Sequence, residues 1–535
     1  MDIPFEDVCK GMRSALVFAA MLAALPAIAS ADGYATYRPV VLAAPNSRPV
    51  GASCTVALLR GERFANGETP HRSAYAPRCP GPWAKIVLRW RTRIAGRQYD
   101  RFGGLWIGGR EIYRFTTAEP TKHGIDYTVV KDVTDYAPIL RSPQTVLAEL
   151  GNYTNASYDG IFMIDADLTF YRGATPPGSP DDVVAVSDAN GKRPWFALDT
   201  PTDEADVVVR DLPRNVEHAR LDLYSTSHAC DEFWYTNQPD AYVAAHPKDG
   251  LCGGGAYREI DVWIDGTLAS VVYPFPWIYT GGIDPILWRP IPAIDALNVP
   301  PYRVDLDPFA GVLSDGAPHR IEIAVRNDRG DWPTDADLFL WRDPHAKRTG
   351  GRVVAVRSAD AQRPAEARGS RSDRFSTTAT GSWSVVGYVD TSHGRVTHGV
   401  SQAMTFSNRQ SLTLETGSSW ADQVTSFATT TTTQNATGRR TSRRRSVYGI
   451  AASSEYPPQP KDGPYDLVIG ARVVQSRRIS MASATCEQRI ASQGTYRRAK
   501  VYADSKASGT SQAVDRCTGP GSHRIVKRSR DGSLY

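Results

Sequence analysis

Apolar and polar residues alternate through much of the chain. In "AKIVLRWRTR" Ile86, Leu88 and Trp90 interleave with Val87, Arg89 and Arg91, the period-two pattern of a half-buried strand. "HRIEIAVRND" puts Ile321, Ile323 and Val325 on one side, and "EHARLDLYSTS" and "DADLFLWRD" behave alike. "YREIDVWIDGTLASVVY" reads as a hairpin, with Ile260, Val262 and Ile264 alternating and Asp265-Gly266 supplying a two-residue turn. Helical spacing does not persist beyond a turn or two. Many short strands broken by Gly and Pro predict an all-β chain of packed β-sandwiches. The lack of a fixed short repeat argues against a propeller or solenoid.

Composition divides the chain. "YRGATPPGSPDD" (Tyr171 to Asp182) is a Pro/Gly-rich break, and a second boundary follows "LWRDPHAKRTGG" near Gly350. The expected organisation is a leader at 1–31, a first sandwich at 32–176, a second at 177–345, and a separate basic, Ser/Thr-rich, β-rich domain at 346–535. From Ala346 onward there are 29 Lys plus Arg against 13 Asp plus Glu, out of chain totals of 62 and 57. The preceding residues are therefore acidic, 33 against 44. The extreme of the tail is "TTTTTQNATGRRTSRRRS". Its cluster Arg439–Arg445 could attract nucleic acid or an anionic surface. In an exported chain it reads rather as a solvated loop, so no nucleic-acid partner is expected.

Export follows from the first residues. Lys10 and Arg13 precede "ALVFAAMLAALPAIA", which leads to an A-x-A site ending at Ala31. An uncleaved anchor is the rival reading, which Pro26 and the small residues disfavour. No later stretch approaches the roughly 18 continuous apolar residues of a membrane span. The expectation is a secreted or periplasmic monomer with no stable membrane insertion after cleavage. Six cysteines remain beyond the leader: Cys54, Cys79, Cys230, Cys252, Cys486 and Cys517. Sequence does not fix their connectivity. They fall into local couples, and closing short loops costs least, which favours Cys54–Cys79, Cys230–Cys252 and Cys486–Cys517. A zinc site is the alternative, but no CxxC or HxxxH spacing occurs. No metal and no cofactor are expected.

Two stretches share an unusual grammar. "QYDRFGGLWIGG" sets Asp100 and Arg101 between Tyr99 and Phe102, and "HACDEFWYTN" sets Asp231 and Glu232 beside Phe233, Trp234 and Tyr235. The plain reading is surface ion pairs and core aromatics. The chemical reading is a carboxylate pair: one acid activates water, another binds or protonates developing charge. Aromatic neighbours exclude solvent, raise carboxyl pKa values and offer stacking faces to sugars. No P-loop, HExxH or GxSxG elbow occurs in a suitable context. "CGGG" after Leu251 reads as close backbone packing beside a disulfide.

The runs "GRQYDRFGGLWIGGREIYRFTTAEPT", "DEFWYTN" and "VVYPFPWIYTGGIDPILWRPI" resemble the peptide N-glycosidase A family of glycoamidases. "YREIDVWIDG" and "DADLFLWRD" extend the resemblance over about Ala84 to Asp343. Tyr99-Asp100-Arg101-Phe102 and Cys230-Asp231-Glu232-Phe233 are also similar to local motifs of the PNGase F enzymes. The resemblance implies two jelly-roll-like sandwiches with both stretches in one cleft. It implies hydrolysis of the glycan-bearing amide of N-glycosylated peptides or glycoproteins, with Asn becoming Asp. Asp100 would activate water and Glu232 would assist, while Arg101, Tyr99, Asp231, Trp234 and Glu149 would contact substrate. A secreted glycan-binding protein without hydrolysis is the alternative. His228 would either tune the pH response or be structural. Trp277, Tyr279 and Trp288 would pack a loop between sandwiches or touch sugar.

Overall fold

The computed structural model describes residues 49–66, 70–120, 124–188, 194–280, 282, 294–359, 365–368, 373–455, 467–481, 484–498, 506–518, 523–530 and 533–534. The leader and Trp288 lie outside them.

The alternating stretches become antiparallel strands. The first sandwich opposes two four-stranded sheets. One runs Ser53–Phe64, Phe162–Arg172, Trp83–Ile94, Ile125–Asp132, in spatial order. The other runs His71–Tyr75, Gln144–Leu150, Phe102–Ile107, Arg110–Thr116. Trp90 from the predicted strand is sealed in this core, its ring centroid 5.5 Å from Tyr113 and 4.8 Å from Phe115. In the second sandwich, Phe196–Leu198, Trp332–Arg342, Val216–Ser225 and Tyr302–Asp305 form one sheet, joined by Asp182–Val186. Ala205–Val209, His319–Arg326, Glu259–Ile264 and Thr267–Val272 form the other. The last two strands are the expected hairpin. Its turn residues Asp265 and Gly266 have φ of 50° and 72°, the left-handed values that a type I′ turn needs.

The two sandwiches meet through a polar seam. Arg114, fully buried, forms a bidentate pair with Glu111 (2.7 Å to each oxygen) and donates to the Pro333 carbonyl at 2.6 Å. The Trp106 indole donates to Asp335 at 2.6 Å and the Tyr136 hydroxyl to Asp337 at 2.9 Å. These bonds fix how the edges of the two sandwiches line up, and the candidate site lies on such an edge.

The C-terminal region is an 11-stranded antiparallel sheet whose strands follow one another almost in chain order. Two expectations change here. The Arg439–Arg445 cluster is not a loop: it belongs to strand Gly438–Glu455, paired with Ser418–Asn435 through a turn at Asn435/Gly438. Thr and β-branched neighbours favour extended backbone, and paired strands satisfy its hydrogen bonds. Nor is the region separate. Tyr257 packs on Phe406 (5.1 Å), Tyr273 on Phe427 (5.5 Å) and Phe275 on Tyr448 (5.3 Å), so one apolar core continues from the second sandwich into the sheet. Gly387 permits this approach, since a Cβ there would sit 1.9 Å from the Pro308 carbonyl oxygen. The three disulfides join Cys54–Cys79, Cys230–Cys252 and Cys486–Cys517.

Candidate active site

Asp100 and Arg101 end the loop that enters strand Phe102–Ile107, on the edge of the first sandwich facing the second. The loop is pinned from both sides. Arg101 N–H donates to Thr117 Oγ1 and Thr117 N–H to the Arg101 carbonyl, each at 2.8 Å. Gln98, buried, donates to the Tyr153 carbonyl at 2.9 Å and accepts the Arg101 guanidinium on its Oε1. The guanidinium lies 5.4 Å from the Tyr99 ring centroid. Its Nε–H is buried without a partner among the described residues, a donor left over for a ligand. Burial lowers the Arg101 pKa from its ordinary value.

Glu232 follows strand Val216–Ser225 of the second sandwich and closes a single 3₁₀ turn, donating its N–H to the Ala229 carbonyl at 3.1 Å. The Cys230–Cys252 bridge ties this turn down. Ala229 adopts φ of 54°, a strained value for a residue with a side chain, and surrounding bonds hold it there. Burial first, and the charge of Asp100 second, push the Glu232 carboxyl up to about 8. The two acids predicted from separate stretches are thus close enough for the charge of Asp100 to be felt at Glu232. Asp100 is half-buried and so is Glu232.

The neighbours divide into half-exposed groups and buried supports. Tyr99 is half-buried, its ring 4.3 Å from that of Tyr158, and the two hydroxyls hydrogen-bond. Arg97 lies over Tyr158 at 4.9 Å, and Tyr153 is 57% exposed. Tyr153, Tyr158 and Glu119, whose charge is felt at Tyr99, border the candidate site and were not singled out from the sequence. The Tyr-rich run "NYTNASYDG" was the available signal. Glu149 is buried in strand Gln144–Leu150 opposite Gly104. It therefore shares the sheet face of Phe102 and Trp106, the face turned toward the second sandwich.

Two expected sugar contacts are corrected. Asp231 is fully buried and its oxygens are taken: Arg258 donates at 2.7 and 2.9 Å, Asn237 at 2.9 Å, Trp332 at 2.8 Å and the Arg329 N–H at 3.0 Å. It anchors the turn that presents Glu232. Trp234 is 1% exposed and lies in the core of the second sandwich with Tyr235. Its neighbours Trp277 and Tyr279 are buried too, and the Tyr279 hydroxyl donates to the Ser227 carbonyl at 2.6 Å. His228 stacks on Tyr279 (5.0 Å, 6°) and packs on Phe102 at 4.7 Å. Burial, then the charge of Arg114, push its pKa down to about 3, so it stands neutral as a structural ring.

Fold and site together define an all-β protein of two abutting sandwiches with an acid from each at their shared edge. Residues 39–359 match the family model described as peptide N-acetyl-beta-D-glucosaminyl asparaginase amidase A, and the chain belongs to that family. A relative from Prunus dulcis, peptide-N4-(N-acetyl-beta-glucosaminyl)asparagine amidase A, is 33% identical over 387 residues, covering 68% of this chain and 67% of its own. Among solved structures, PNGF-II is similar at 12% identity and a TM-score of 0.39, over 54% of this chain and 66% of that one. PNGase F, a glycosylasparaginase from Flavobacterium meningosepticum, is similar at 13% identity and a TM-score of 0.37, over 54% and 96%.

Proposed function

We propose that this protein is a glycoamidase. It hydrolyses the β-aspartyl-glucosylamine amide of N-glycosylated peptides, releasing the glycan and leaving Asp in place of Asn. Membership of the family supports the reaction class. The observation that carries the assignment to residues is Glu232, held protonated near neutral pH opposite Asp100.

Asp100 accepts a proton from water as the oxygen attacks the amide carbon. The carbon–oxygen bond forms, the carbon–nitrogen bond breaks, and Glu232 delivers its proton to the departing nitrogen. The products are an aspartyl peptide and a glycosylamine, which loses ammonia in water. Exchange with solvent restores both acids. Arg101 offers its spare Nε–H to the sugar or the amide, and Tyr99, Tyr158 and Tyr153 form the wall on which sugar rings rest.

We also propose that the chain is exported as a monomer, its leader cleaved after Ala31. Three disulfides support an oxidising compartment. N-terminal sequencing of the mature protein and light scattering test this. Incubation with a defined glycopeptide, followed by mass spectrometry of the peptide, tests the reaction. Asn converted to Asp supports it. A peptide that keeps one sugar points to an endoglycosidase, and an unchanged glycopeptide that is nonetheless bound points to a lectin.

A further inference from the structure

A second cleft lies away from the carboxylate pair, between the second sandwich and the inner face of the C-terminal sheet. Its volume is about 630 Å³, in the range of pockets that enclose small ligands. Phe275, Trp277, Trp383, Phe427 and Tyr448 form its nearly sealed base, with Phe275 and Phe427 packed on Tyr448, and Tyr302 adds a half-buried ring. Thr429, Thr431, Ser442 and Ser446 add hydroxyls between the rings.

Three guanidinium groups line this cleft: Arg303 pairs with Asp222 at 3.7 Å, and Arg444 and Arg477 enter from adjacent strands. Burial first, and the charge of Arg477 second, lower the pKa of Arg444. The like charges are not neutralised by contact: no ion pair joins either to a carboxylate among the described residues. Arg444 Nε is buried and without a hydrogen-bond partner there, as is the Asn298 Oδ1 that lines the same cleft. Asp295 and Asp305 line the same cleft, and burial pushes them up to about 6 and about 7, so they weaken as counter-charges when the pH falls below neutrality. Flanking Arg439, Arg440, Arg443 and Arg445 are exposed, so Arg444 alone of its cluster turns inward. An unfilled donor beside two crowded cations is costly unless an anion completes it.

We propose that this cleft is a second saccharide site, taking a sugar that bears a carboxylate. The half-buried Tyr302 ring and the Thr429, Thr431 and Ser442 hydroxyls receive the sugar, and Arg444 and Arg477 hold the carboxylate. The saccharide half of the inference rests on the glycan-processing reading above, and the anion half rests on the two arginines. The acidic sugar is either the outer arm of the substrate's own glycan or a free acidic oligosaccharide.

Calorimetry on the full protein with sialyllactose and lactose tests the site. The Asp100→Asn variant keeps hydrolysis out of the measurement. Charge-assisted pairing predicts that sialyllactose binds at least about tenfold more tightly than lactose. Arg444→Gln/Arg477→Gln erases that preference, and turnover of a glycopeptide with a neutral glycan stays unchanged. Equal binding of the two sugars, or no binding of either, overturns the proposal, as does inorganic phosphate binding as tightly as sialyllactose. If the double variant does not fold, Arg477→Lys together with saturation-transfer spectra of the wild type decides, the proposal failing if sugar-ring protons are not in contact. A lower KM for sialylated than for neutral glycopeptide assigns the acid to the substrate's arm. An unchanged KM with preserved sialyllactose binding assigns it to a free oligosaccharide. Glycopeptide hydrolysis is scored separately, so failure of the reaction and failure of the cleft are told apart.

Discussion

The centre and the edge of the contact between the sandwiches use the same residue types for opposite ends. At the centre Glu111 is locked to Arg114, while Asp335 and Asp337 take bonds from Trp106 and Tyr136 and are sealed from solvent. Burial pushes both aspartates well above the ordinary carboxylate range. At the edge Glu232 is also pushed up, yet it is half-buried and faces Asp100. A raised carboxyl is therefore no mark of catalysis by itself. What separates the regions is access: the central acids are sealed from solvent, and the edge acids are only half-buried.

Substitution should pull the two regions apart. Asp100→Asn keeps the shape of the side chain and removes its basicity. Turnover should fall by about 10²–10⁴-fold, the usual worth of a general base, with the melting temperature little changed. Near-normal turnover in a folded variant would mean that the edge is not the reaction centre. Arg114→Met should do the reverse, costing about 3–5 kcal/mol of stability by stranding the Glu111 charge in the seam. Denaturant unfolding measures this. A neutral result would show that the seam does not hold the sandwiches together.

The disulfides allow a milder contrast. Replacing Cys230 and Cys252 by Ser should cost roughly 2–5 kcal/mol and reduce activity, because their bridge restrains the Glu232 turn. The same change at Cys486 and Cys517, far along the C-terminal sheet, should cost stability but leave turnover intact. Equal activity losses would place the effect in global unfolding.

Next in size is the response to pH. The folded-state pKa of Glu232 is raised from 4.5 to about 8, so the folded protein holds this proton more firmly than the unfolded chain. Its contribution to stability is full below about 4.5 and disappears as pH rises through about 8. If its proton is needed, kcat/KM should drop about tenfold per pH unit above that point. Glu232→Gln should lower turnover, flatten the alkaline limb and leave the variant more stable than wild type at high pH. An alkaline limb that survives in Glu232→Gln would assign it to another group. His228, held near 3, adds no break near neutrality.

What the chain revealed in advance depended on locality. Alternation over ten residues yields strands, Asp265-Gly266 yields its turn, and near neighbours yield the cystines. Asp100 and Glu232 stood out because acids among aromatics are chemically odd. Asp231 and Glu232, by contrast, are ranked in the sequence only by the family resemblance, and composition and spacing do not tell them apart. What separates them is Arg258, Arg329 and Trp332, which lie 27 to 101 residues away and all turn to Asp231. Arg444 was hidden likewise. One residue in a run of arginines turns inward only because that run is a strand with a protein wall on one side.

The smallest effect expected is at Tyr153, and it sharpens the comparison at its edge. Unlike the rings of the seam, that of Tyr153 is 57% exposed, while its carbonyl accepts from Gln98 at 2.9 Å and from Arg101 at 3.4 Å. The backbone thus supports the Asp100 loop whatever the side chain is. Tyr153→Ala removes the ring and leaves that support. A lost aromatic face is worth about 0.5–1.5 kcal/mol, so KM for a glycopeptide should rise by about two- to tenfold with kcat unchanged. Tyr153→Phe should restore the wild-type value, because stacking needs the ring and not the hydroxyl. A fall in kcat without a rise in KM would mean that the ring steadies the loop and meets no sugar, and the wall assigned to the glycan would then have to be sought in Tyr99 and Tyr158.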